Sequence, residues 1–291
     1  MNFPLQFWAI QTLNSLSLGG LLFLLSSGFS LIFGLMRIAN LTHGSLFMLG
    51  AYVGVSVLKF VPNLWLAALI GGVIVAACGA LFERLVLRAL GGNVLGQVLV
   101  TLGVSFIIAD LCLMVWGGDP IPVPTPESLR SAIVIAGLPF PSYRLAVLGI
   151  AVATWLGLYL LMERTRLGAM IRAGVDDMQM ARAVGIPVSR LFTTVFFLGA
   201  LLAAAGGIIG GPIMSAYPGL DADMLPLALI VVILGGVGSL IGALIGSFII
   251  GFIYTFGTAL FPDLAYVILF LPMIFVIAFR PRGLFGRAST T

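Results

Sequence analysis

Residues 225–261 read LPLALIVVILGGVGSLIGALIGSFIIGFIYTFGTALF, 37 consecutive positions without one charged side chain. A helix crosses a bilayer with about 20 apolar residues, so this run exceeds one crossing. Gly235-Gly236-Val237-Gly238-Ser239 breaks it. The limb before the break, Leu225 to Leu234, is ten residues, or about 15 Å of helix, too short to cross alone. Either the glycine turn lies shallow with a short or re-entrant first limb, or two cramped spans share the run. Broken backbone at membrane depth is tolerated only where it packs in protein or lines a cavity. The stretch therefore requires a helical membrane protein with other helices around it.

The rest of the chain agrees. Of 291 residues, 61% are hydrophobic and 8% charged, with a mean hydropathy of +1.21; soluble domains carry about 25% charge. The apolar total suffices for about eight to nine crossings and leaves no room for a soluble domain. The expected fold is an all-α polytopic membrane protein of eight to nine transmembrane helices, one transmembrane domain over residues 1–291. Apolar stretches run over residues 8–35, 46–60, 64–82, 94–116, 145–162, 191–211, 225–261 and 264–279. Between them lie a polar patch (37–45), a proline-rich non-helical segment (117–143), a charged segment (163–190) and a loop with Asp221 and Asp223.

Arginines set the sidedness. Arg37, Arg84, Arg88, the five arginines of 163–190, and Arg280, Arg282 and Arg287 fall on one side in an alternating path. By the positive-inside rule that side is cytoplasmic, leaving Lys59, Arg130 and Arg144 outside. This path puts the N-terminus outside and the C-terminus inside, with an odd number of crossings. Residues 1–8 lack the basic start of a removable signal peptide.

Several functions are excluded. Net charge is +4, but with one lysine and no basic run there is no nucleic-acid surface. Cys78 and Cys112 sit in separate apolar runs, giving neither a disulfide framework nor a metal site. One histidine, no phosphate-binding glycine loop ending in Lys-Ser/Thr, no HExxH and no GxSxG leave no catalytic set. The chain is expected to bind no cofactor and hydrolyse no ATP. A proton relay needs a chain of ionisable groups. Asp110 is the lone carboxylate expected inside a span, so a neutral, zwitterionic or partly apolar solute fits better than a bare ion.

Neutral polar residues are then the candidates for a solute path. Gln97, Thr101 and Ser105 recur every four residues on one helix face, Asn14 lies in the first span, and Asn40, Thr42 and His43 form a compact polar turn before Gly44. Glycines four apart (Gly206 and Gly210; Gly238, Gly242 and Gly246) make flat stripes for close helix packing, within the chain or at a subunit interface. In the charged segment, Asp176 and Asp177 can cap a short helix at 178–184 that Gly185 and Pro187 end. Met178, Met180, Ala181 and Val184 give it apolar knobs suited to another protein's groove.

A resemblance now adds to this reading. Residues 36–52, MRIANLTHGSLFMLGAY, resemble the N-x-x-H-G…M-L-G-A-Y signature of branched-chain amino-acid ABC transporter permeases of the LivH type. Ala173, Asp177, Met180-Ala181 and Gly185-Ile186 are similar to that family's coupling loop, and residues 235–243 to its glycine run. The chain departs from the pattern in two places. Gln179-Met180-Ala181-x3-Gly185 stands for the wider E-A-A-x3-G, and Ser45 follows His43-Gly44 where the family usually has an acid.

The resemblance implies the permease half of an importer of the bacterial inner membrane, working by alternating access. Its partners would be a LivM-like second permease, two ATP-binding subunits holding ATP and magnesium, and an extracytoplasmic solute-binding protein. Asp177, Gln179, Met180, Ala181 and Gly185 would contact the ATP-binding subunits. Branched-chain amino acids lead as solutes, with urea, short amides and organic acids within the same family. A self-sufficient channel or secondary carrier for a small neutral solute, and a non-conducting scaffold, remain alternatives on the residues alone.

Overall fold

The computed structural model describes residues 5–37, 39–135, 137–280 and 283–286. Arg282 and Arg287, used above for sidedness, and the start of the 1–8 segment lie outside them. Eleven α-helices are present among the described residues: α1 (Leu5–Met36), α2 (Thr42–Leu58), α3 (Leu64–Phe82), α4 (Val94–Trp116), α5 (Ser142–Arg164), α6 (Arg166–Asp176), α7 (Met178–Ala183), α8 (Val188–Met214), α9 (Leu220–Gly235), α10 (Leu240–Leu260) and α11 (Ala265–Phe279). Six are long and apolar enough to cross a membrane: α1, α3 with its continuation to Leu90, α4, α5, α8 and α10. The chain is a multi-pass membrane protein. Three apolar helices are shorter: α2 with 17 residues, α9 with 16 and α11 with 15.

Local chemistry places most ends. Asn63 accepts hydrogen bonds from the Trp65 and Leu66 amides and Asn93 from that of Gly96, capping α3 and α4 at the expected residues. Past Phe82 the helix does not stop but widens into a π turn, Glu83–Leu87, and tightens into a 3-10 turn, Arg88–Leu90. The proline-rich segment folds a small antiparallel hairpin, β1 (Ala132–Ile135) and β2 (Leu138–Pro141). Its Ile121 pairs with Ala216, beyond the end of α8.

Packing is built on close backbone approach. Helix α1 is central, against α8, α10, α5 and α9, while α2 lies between α8, α3, α4 and α9. At the α1–α8 crossing a Cβ on Gly28 would fall 2.5 Å from the carbonyl oxygen of Gly199. Gly206 and Gly210 face Leu24 and Leu21, Gly238 lies on Gly34, Gly242 on Gly235, and Gly246 on the Val231 carbonyl. These glycines stand at contacts within the chain.

Two expectations need correction. Asp221 and Asp223 are in the first turn of α9, not in a loop. Carboxylates there face the positive end of the helix dipole, so the helix begins before them and its limb is 16 residues rather than ten. Likewise Thr42–Ser45 are not part of a linking patch but the buried first turn of α2.

These two helices begin inside the bundle. The His43 ring meets the Leu25 carbonyl at 3.0 Å; Leu25 lies eleven residues before the end of α1, about 16 Å of helix away. Thr42 and the start of α2 therefore lie well back along α1 from Arg37. Gly44 packs on the Asp221 carbonyl and on Leu225, which brings the start of α9 to the same depth.

Candidate functional site

Around the starts of α2 and α9 the polar side chains converge. Asn40 accepts hydrogen bonds through Oδ1 from the Thr42 amide at 3.2 Å and from the Thr42 hydroxyl. Its buried Nδ2 has no partner. Thr101 Oγ1 accepts from the Leu41 amide at 3.3 Å and donates to the Val98 carbonyl at 2.9 Å. One turn higher, the Ser45 hydroxyl lies 3.0 Å from Asp221 Oδ2 and 3.5 Å from the Ser105 carbonyl. His43 is fully buried against Phe29, with Nδ1 unpartnered.

Of the expected path residues, Asn40 and Thr42 bond each other, Thr101 bonds the Leu41 amide between them, and the Ser105 carbonyl faces Ser45, whereas the His43 ring turns to Leu25 and Phe29 of α1. The Gln97–Thr101–Ser105 face, continued by Cys112, is the buried face of α4 and lies against α2. Gln97 sits one turn below, its amide donating to the Leu87 carbonyl at 3.1 Å. Asn14 is elsewhere. It accepts a hydrogen bond from Arg144, eleven residues of α1 away from Leu25. Asp110 is exposed on the opposite side of α4.

Asp221 is the residue that sequence reasoning missed here. An acid beside a glycine and a proline reads as loop, and only the tertiary arrangement carries it into the bundle. The available signal was Ser45 itself. Where the resemblance calls for an acid after His43-Gly44, the chain has a hydroxyl, and α9 brings a carboxylate to it.

A second cluster occupies the arginine-rich end. Asp177 accepts from the Gln179 and Met180 amides, each at 2.9 Å, and so starts α7. Gly185, at φ 87°, ends it in the left-handed region that a side chain disfavours. Ala181 is the inward residue of this helix; Gln179, Met180, Ala183 and Val184 are exposed. Of the four expected knobs, then, Ala181 is not on the outer face. α6, which the sequence reading left unresolved, carries α7: Arg37 donates to the Val175 carbonyl at 3.2 Å, tying α6 to the end of α1. A cavity of about 680 Å³ opens beside it, lined by Arg37, Tyr159, Glu163, Arg172 and Ser239 among others.

Nearby, Glu83 is fully buried in the π turn and was not picked out from the sequence. It accepts from Thr193 at 2.7 Å and pairs with Arg88 at 3.3 Å. Among the described residues there is no group of three or more His, Cys, Asp or Glu side chains fit to hold a metal.

Comparison with known proteins gives a consistent result. Residues 11–277 match the family described as "Branched-chain amino acid transport system / permease component". The chain is 28% identical to the high-affinity branched-chain amino acid transport system permease protein BraD of Pseudomonas aeruginosa, over 95% of each chain. It is 27% identical to LivH of Salmonella typhimurium and 26% to LivH of Escherichia coli K12, again over 95% of each. Among solved structures it is similar in fold to a chain of PsaBC from Streptococcus pneumoniae in complex with Fab. That match has a TM-score of 0.50 and 14% identity, over 91% of this chain and 89% of the other.

Proposed function

We propose that this chain, which belongs to the family of branched-chain amino acid transport system permease components, is one permease subunit of an ATP-driven importer for branched-chain amino acids or a related small solute. The observation that carries the reading is α7. A six-residue helix, capped at one end by Asp177 and stopped at the other by Gly185, presents Met180 and Val184 outward, 60% and 69% exposed. An isolated helix this short is unstable in water. Holding it between α6 and the long α8 gives an apolar knob suited to seat in a groove.

In this reading the arginine-rich end is cytoplasmic and α7, with Asp177, Gln179, Met180, Ala181 and Gly185, docks on an ATP-binding subunit that holds ATP and magnesium. A second permease and an extracytoplasmic solute-binding protein complete the importer. The six long helices and the shorter α2, α9 and α11 make nine crossings of the bacterial inner membrane, N-terminus outside and C-terminus inside. Alternating access would open the face between α2 and α4 that holds Asn40, Thr42, Thr101 and Ser105 to each side in turn, with His43, Gln97 and Asn14 further along the path.

Reconstitution tests this. Liposomes holding this chain with its partner permease, ATP-binding subunits and binding protein should take up leucine only when ATP is supplied, and the chain alone should give no flux. Leucine flux through the chain alone would replace the importer with a channel.

A further inference from the structure

We propose that the outward face of α4 around Asp110 is where this chain packs against the second permease of the importer, which brings a cation to the Asp110 carboxylate; this rests on the permease reading above. Helix α4 is buried along one face only, that of Gln97, Thr101, Ser105 and Cys112. At about 100° per residue, Asp110 stands about 140° from Ser105 and about 160° from Cys112, so its side chain leaves the bundle. It is exposed, with Phe106, Ile107 and Met114 exposed around it. Depth makes that exposure costly. Helix α4 is long and apolar enough to cross the membrane, and Asp110 lies six residues before its last, Trp116, about 9 Å of helix inside.

Aspartate has no long apolar stem to carry its charge back to water, as lysine and arginine have. A charged side chain within a span faces protein or a water-filled cavity and pairs there. Yet among the described residues no arginine or lysine pairs with Asp110. Lipid is thus the wrong neighbour for this face, and a cation-bearing chain the right one. The face also fits a helix. Gly103 lies two turns below Asp110 in the same direction, and a Cβ there would meet nothing within 4 Å, so a second backbone can come close beside the carboxylate. A second copy of this chain has no free cation inside a described span to offer. Arg144 is held by Asn14, and Arg84, Arg88, Arg164 and Arg190 lie at the arginine-rich end, away from Asp110. The one lysine, Lys59, lies past the end of α2. The partner on this face is therefore a different permease.

Photo-crosslinking in the assembled complex tests this. The chain is co-purified with its partner permease and ATP-binding subunits, carrying benzoylphenylalanine either at Ile107, beside Asp110, or at Leu156, exposed on α5. Light should join the two permeases from position 107 and not from position 156. Asp110→Leu should lower the recovered partner permease about tenfold or more, the worth of one charged hydrogen bond, with the amount of this chain in the membrane unchanged. Asp110→Glu should restore the recovery. Full recovery of the partner with Asp110→Leu overturns the proposal, as does an adduct with lipid alone at position 107, or joining from 156 but not from 107. An adduct between two copies of this chain also overturns it. So does a fall in this chain's membrane level with Asp110→Leu, which makes Asp110 a residue of its own fold. Any of these in a complex that takes up leucine with ATP leaves the permease reading standing; a wild-type chain that purifies with no other subunit overturns both.

Discussion

Arg88 closes over Glu83 where α3 changes from α to π geometry. Its guanidinium lies 3.3 Å from the carboxylate and 2.8 Å from the Ser189 carbonyl at the start of α8. Arg88 keeps 36% of its side chain exposed, whereas Glu83 keeps none. The pair therefore fastens the end of one helix to the start of another, and the two residues are not equivalent partners.

The asymmetry predicts unequal variants. Removing Arg88 strands a buried charge, at a cost of about 3 kcal/mol or more. Glu83→Gln keeps a hydrogen-bonding group and leaves an arginine that reaches water. Arg88→Ala should thus lower the melting temperature of the purified protein by more than Glu83→Gln does. Equal losses would show that the pair contributes nothing beyond its separate hydrogen bonds.

Glycine positions should divide sharply by neighbour. A Cβ on Gly207 would overlap the Phe47 carbonyl, whereas one on Gly149 meets nothing within 4 Å. Gly207→Val should cost about 3 kcal/mol or more, since backbone cannot move aside as a side chain can. Gly149→Val should lie within about 0.5 kcal/mol of wild type. Fluorescence-detected size exclusion after graded heating separates the two.

For α7, an exposed residue gives the cleaner experiment. Met180→Glu alters only the outer face, and the chain should insert and melt as wild type. Binding of the ATP-binding subunits in a pull-down should fall about tenfold or more, because a charge placed at a desolvated contact finds no partner. Gly185→Trp, also in this region, adds backbone strain at φ 87° and mixes two effects. Unchanged subunit binding by Met180→Glu would move the docking site away from α7.

Thr101 is fully buried, with its hydroxyl engaged on both sides. In a Cys78→Ala, Cys112→Ala background, Thr101→Cys should resist a small hydrophilic thiol reagent in the ATP-free transporter and react only during turnover. Labelling of the resting protein at the rate of a surface cysteine would mean that α2 and α4 are not in contact at rest.

How much of this was legible beforehand depended on the distance over which each feature is decided. The ends of α3 and α4 follow from Asn63 and Asn93 and from the apolar runs they precede, all within a few residues. The short helix at 178–183 was equally local, set by Asp177 and Gly185. Depth is not local. Nothing in residues 37–45 says that α2 starts well back along α1, and nothing near Asp221 says that α9 starts beside Ser45. Hydropathy read the first as a linking patch and the second as an outer loop. The π turn at Glu83 was hidden for a related reason, since one oxygen of its buried carboxylate is met by Arg88 and by Thr193, 110 positions later.

The tethers ahead of α2 and α9 have a mechanical meaning. A continuous helix transmits torque, so turning one end turns the other. The residues that join α1 to α2 and α8 to α9 are five in each case, outside either helix, and such a tether passes tension but not twist. Turning α1 or α8 is therefore not passed along the chain to α2 or α9; what fixes the rotation of each is its own backbone contact, Gly50 on Ala204 for α2 and Gly235 on Gly242 for α9. Ser45 and Asp221 ride on those two helices, so their 3.0 Å contact reads out how α2 and α9 seat on their neighbours and not how α1 or α8 is turned.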